Sequence, residues 1–193
     1  MRLLVTVLLL AASAAAHAAD APALPGCDQP IRFTADWFAD PPQEFDKTSD
    51  FLVKQGAPAT EGGTVLGLVT VENAISVVPE KACRGLRVSL SFAHPVLRVI
   101  RDLPAGTCAH DHVLRHEYTH VRIYREIARQ FRQLVYPFPH GAHPEHVLHY
   151  AKQQLAKLQE QQRLFDSPEE YAGNLTACDG EIPRLLAASR KGG

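Results

Sequence analysis

Beyond its first 18 residues, this 193-residue chain has no run approaching the ~18 uninterrupted apolar residues that a membrane-spanning helix needs. It carries no excess of one charge: 20 Lys and Arg face 21 Asp and Glu, a formal net charge of −1. That balance gives no basis for nucleic acid as a partner. The four cysteines, Cys27, Cys83, Cys108 and Cys178, include no CxxC pair, which excludes a cysteine-ligated zinc knuckle and a thioredoxin-like redox motif. There is neither an internal repeat nor a low-complexity tract.

The N-terminus has the layout of a secretory signal peptide over residues 1–18. A basic Arg2 precedes an apolar run from Leu3 to Leu10, and an Ala-rich stretch ends in Ala16-His17-Ala18. The mature chain is therefore expected to begin near Ala19 and to be exported, to a periplasm or beyond, with no membrane span after processing. Cysteines of even number in an exported chain favour disulfides. Of the three possible connectivities, Cys27–Cys83 with Cys108–Cys178 is expected, because it ties both ends to the middle. Residues 19–193, in a chain that is 46% hydrophobic, have the size of one domain able to bury a core.

Three compositional zones follow. Residues 19–63 are rich in Pro, Asp and Gly, with aromatics at Phe33, Trp37, Phe38, Phe45 and Phe51, and read as loops pinned by rings. Residues 64–106 contain β-branched-rich runs at Thr64 to Val71, Ala74 to Val78, Leu86 to Phe92 and Pro95 to Ile100, at hairpin spacing. Residues 107–193 are helical. Apolar residues recur every 3.6 positions from roughly Asp111 to Val135, and Tyr136 to His143 forms a turn. Pro144 opens a second helix, and Ser167-Pro168-Glu169-Glu170 has the spacing of a capping box that begins a third. Strands followed by helices make an α+β chain.

The first helix carries His116, Glu117 and His120, an HExxH motif. On a wheel advancing about 100° per residue, His120 falls about 40° and Glu117 about 100° from His116. That sector also holds Val113, Tyr124, Ile127 and Phe131, whereas Arg115, Arg122, Arg125, Arg129 and Arg132 lie on the opposite side. Burying a carboxylate between two imidazoles without compensation costs several kcal/mol. A zinc ion compensates directly, since adjacent helical turns bring two imidazoles into one coordination shell.

In these residues, with the Gly106-Thr107-Cys108 lead-in and the strand Pro95 to Ile100, the chain resembles the zincin superfamily of HExxH metallopeptidases, specifically small exported bacterial members. The resemblance implies a small, mostly antiparallel sheet followed by the active-site helix and two further helices. It implies one catalytic Zn2+ held by His116, His120 and a third protein ligand, with Glu117 as general base in hydrolysis of a peptide or protein substrate. It also implies an edge strand beside the helix, with Pro95 to Ile100 as candidate, that pairs with an extended peptide. Tyr136, Tyr150 and Tyr171 are candidate oxyanion donors.

The third ligand is open among Glu145, Glu169, Glu170 and the histidines between 140 and 149. Glu126 has the metzincin spacing but falls on the charged side, where arginines are its natural partners. Eight of the nine mature histidines lie between His110 and His149. This clustering supports an alternative, a non-enzymatic periplasmic zinc buffer or chaperone. A zincin-like domain without catalysis is a third possibility.

Overall fold

The structure, a computed structural model, describes residues 30–57, 64–81, 85–138 and 142–192. The expected signal peptide, the Cys27–Cys83 pair and His140 lie outside the described residues. Among the described residues no helix is long and apolar enough to cross a membrane.

Four strands form one sheet: β1 (Ile31–Asp36), β2 (Gln43–Lys47), β3 (Gly67–Glu80) and β4 (Gly85–Ile100). The expectation of a mostly antiparallel sheet is overturned, because β1 and β2 both pair with β4 in parallel. Both arise within residues 19–63, the zone read as loops. β1 nevertheless alternates strictly, with Ile31, Phe33 and Ala35 buried and Arg32 and Asp36 exposed. The direction follows from the path of the chain. β1 and β2 run forward, β3 returns, and the β3–β4 hairpin reverses the chain again, so β4 runs with β1 and β2 and inserts between them and β3.

A second correction concerns the edge. Pro95 to Ile100 lies inside the sheet, with β2 on one side and β3 on the other. Leu97, Val99 and Ile100 are accordingly fully buried. Of the breaks expected within residues 64–100, the one from 79 to 85 is where β3 ends and β4 begins, but those at 72–73 and 93–94 are not turns. They form one irregularity opposite Val71, where the β3–β4 register shifts and His94 adopts φ 48°. The edge strand beside the HExxH turns of the first long helix is β3, whose Gly67 meets Glu117.

The helices are α1 (Ser49–Lys54), α2 (Cys108–Phe131), α3 (Pro144–Phe165), α4 (Pro168–Gly173) and α5 (Ala177–Gly192). Three helices therefore follow α2 instead of two, because the capping box at Ser167 starts only the short α4 before α5 begins. One core cluster joins the first half of β4 and β1 to the C-terminal half of α2 and to α3, with Phe33 edge-on to Phe131 at 5.5 Å. The other joins the second half of β4 to α1, the N-terminal half of α2, and Ile182 of α5.

Candidate metal centre

Helix α2 begins where its donors find partners. The Thr107 side chain accepts from the His110 amide at 3.1 Å, and the Glu181 carboxylate accepts from the Ala109 amide at 2.7 Å. Cys108, its first residue, is bonded to Cys178 of α5, with Cα atoms 5.7 Å apart. Closing a loop over a sequence separation of 70 removes about 4 kcal/mol of unfolded-chain freedom in the chain-entropy view. Cys108, Cys178 and Glu181 cluster closely, but the joined sulfurs are no longer thiolates able to take a metal.

Two turns into α2, His116 and His120 project into the groove between α2 and α3. Their rings lie against Phe165 with centroids at 4.7 and 5.1 Å. There they meet Asp166, the C-cap of α3. The Asp166 Oδ1 lies 3.2 Å from His116 Nε2 and 3.0 Å from His120 Nε2, and the two Nε2 atoms are 3.2 Å apart. Ligands at about 2.0–2.1 Å from a tetrahedral ion are separated by about 3.3–3.4 Å, so this triangle has the size of one face of a zinc shell. With each Nδ1 facing an acceptor oxygen, the neutral imidazoles turn two Nε2 lone pairs and the Asp166 carboxylate oxygen toward one another. A dication engages all three donors at once.

The backs of the rings are also held. The Nδ1 of His120 faces the Gln162 Oε1 at 2.6 Å, while Gln162 Nε2 donates to the His120 carbonyl at 3.1 Å. The Nδ1 of His116 faces Glu170 Oε1 at 3.4 Å. Each partner fixes its imidazole with Nε2 turned inward. Gln162 and Asp166 stand four apart on α3, as His116 and His120 do on α2, so one turn of each antiparallel helix supplies the cluster.

Glu117 is buried against β3, and burial pushes its carboxyl up to about 7, although His120, His116 and the Val69 amide favour the charged form. Gly67 makes room for it: a Cβ at that position would come within 2.8 Å of the Glu117 Cγ and Cδ. Burial opposes protonation of both histidines, but the bond to Asp166 and the nearby Glu117 charge raise them above the ordinary imidazole range. Burial likewise disfavours the Asp166 carboxylate, and the two imidazoles outweigh it, holding the group well below its usual range.

A cavity of about 440 Å³ opens on this cluster, lined by Leu66, by β3 from Gly67 to Val69 and by Tyr171, Asn174 and α5. Of the three tyrosines named from sequence, only Tyr171 lines it. Burial, with Asp166 and Glu117 nearby, pushes the Tyr171 phenol up to about 12. Tyr136 and Tyr150 pack on each other at 5.2 Å in the other core.

The sequence candidates separate. Glu170 backs His116 and does not join the triangle, Glu145 is exposed in the first turn of α3, and the side chain of Glu169 lies outside the described residues. Glu126 is bound by Arg129 at 2.7 Å and by Gln130, which hold it down at about 2. His112 bonds Asn174 at 2.9 Å and His149 bonds Gln153 at 2.9 Å, and neither joins a metal-sized group among the described residues. Asp166, Gln162 and Gly67 were missed. The one sequence signal for Asp166 is its place immediately before the Ser167 cap, where one helix ends and the next begins. Comparison with protein-family models, with curated proteins and with solved structures finds no match.

Proposed function

We propose that this chain is an exported zinc-dependent hydrolase of peptide bonds, of the zincin kind, with His116, His120 and Asp166 holding the ion. The observation that carries the reading is the triangle of two Nε2 atoms and one Oδ1, 3.0–3.2 Å apart, beside a buried carboxylate. Export is supported by the leader-like N-terminus and by the Cys108–Cys178 bond, which suits an oxidising compartment.

Held by His116, His120 and Asp166, a zinc ion would supply the Lewis acidity that acidifies water and polarises a scissile carbonyl. The other roles belong to the chain. Glu117, at about 7, is poised to accept a proton from the attacking water and return it to the departing amine. The Val69 amide keeps its carboxylate aimed from the strand. Tyr171 remains protonated at neutral pH and is the donor on the cavity wall for the developing oxyanion. By the alternation of an antiparallel ladder, Gly67 directs its N–H and C=O, and Val69 its C=O, away from β4, along the edge where an extended peptide can pair.

The test uses Glu117→Gln in protein prepared with zinc. Metal analysis should give one zinc per chain in both proteins, and peptide hydrolysis should fall at least a hundredfold in the variant. Undiminished turnover, or more than one tightly bound ion with no turnover in either protein, overturns the reading.

A further inference from the structure

The cavity continues away from the metal centre. From Glu117, Gly67 and Val69 its wall runs back along the chain to Thr64 and across to α5, which contributes Ile182, Leu186 and Arg190. Those three residues stand four apart in succession, on one face of α5 over about 12 Å. Arg190 is the only Lys or Arg among the described lining residues, and its guanidinium donates to the neutral Thr64 hydroxyl at 3.3 Å. The two lining carboxylates, Glu117 and Asp166, both sit at the metal end. Among the described residues the cavity thus has its acids at one end, the Arg190 cation at the other, and Val65, Val113, Ile182 and Leu186 between them.

Spacing links the two ends. Thr64 precedes Gly67 by three residues, a span of up to about 10 Å. A peptide laid along the outer edge of this segment advances with it residue for residue, so a group beside Arg190 stands about three residues from the bond presented to Glu117. The anions that a peptide can bring to that point are its terminal carboxylate and the side chains of Asp and Glu, and a guanidinium binds either through paired hydrogen bonds.

We propose that Arg190 is an anion subsite, and that the enzyme selects peptides carrying a carboxylate about three residues from the cleaved bond with apolar side chains between. The inference rests on the peptide-hydrolase reading above, and it assigns α5 the selection of substrate while α2 and α3 hold the metal.

The test uses three randomised octapeptide pools: free acids without Asp or Glu, C-terminal amides without Asp or Glu, and amides containing them. Each is followed by cleavage with the zinc-loaded protein and by binding to zinc-loaded Glu117→Gln, with and without Arg190→Ala. A preference of about five- to tenfold for the free-acid pool, lost in Arg190→Ala, identifies the chain terminus as the anion. The same preference for the acidic amide pool identifies a side chain. Equal treatment of all three pools, or a preference that survives Arg190→Ala, overturns the subsite while the hydrolase stands. Arg190-dependent binding without cleavage by the unsubstituted protein retains the subsite and removes the hydrolase, and absence of both overturns both.

Discussion

The two halves of α2 solve opposite problems. Its C-terminal half buries Ile127, Ala128 and Phe131 against β1, β4 and α3, where every added contact is apolar and burial itself stabilises. Its N-terminal half buries Glu117 completely and His116 and His120 in large part, and there burial costs free energy until a partner arrives. The same sheet and the same neighbouring helix serve both. The difference teaches that the C-terminal half keeps the helix in place so that the N-terminal half can hold groups that would not choose to be buried.

Four substitutions bear on this contrast. The largest effect belongs to the apolar half: Phe131→Ala should cost about 3–5 kcal/mol in chemical denaturation, while zinc bound per folded molecule stays the same. A parallel loss of metal from the folded fraction would show that the halves are not separable. Next, Asp166→Ala should weaken zinc binding at least a hundredfold in a competition titration, and it should also lower the melting temperature of the metal-free protein, because the two imidazoles lose the carboxylate paired with them. An unchanged affinity would remove Asp166 from the ligand set. Gln162→Ala should lower the affinity by about tenfold, because the His120 ring loses its rear partner but not its place in the shell. The smallest expected effect is at the helix start, where Glu181→Gln weakens the carboxylate cap on Ala109 and should cost about 1 kcal/mol in thermal unfolding.

What could be read in advance divides along the same line. The inward placement of His116, Glu117 and His120 follows from positions on a single helix, where 100° per residue decides the face. Asp166 could not be found that way, since its place depends on how far the segment between Phe131 and Pro144 lets α3 slide along α2. Glu145 and Glu170 are marked by a helix N-terminus and a cap, whereas Asp166, lying just outside two helices, is marked only by its place before Ser167. The sheet failed for a similar reason. The β3–β4 hairpin was visible in short-range spacing, but the insertion of β4 beside β1 joins residues more than fifty apart, such as Ile31 with Leu86. Alternation in Ile31, Phe33 and Ala35 was present in the sequence and was outweighed by the surrounding prolines.

The Cys108–Cys178 bond encloses α2, α3 and α4 in one covalent ring, and His116, Glu117, His120, Asp166 and Tyr171 all lie inside it. A protease cut in the turn between Phe131 and Pro144 would open the ring without freeing either arm, because both arms remain joined through the sulfurs. The two helices that bear the donors would stay on one molecule, and a chain nicked there would still hold His116, His120 and Asp166 together.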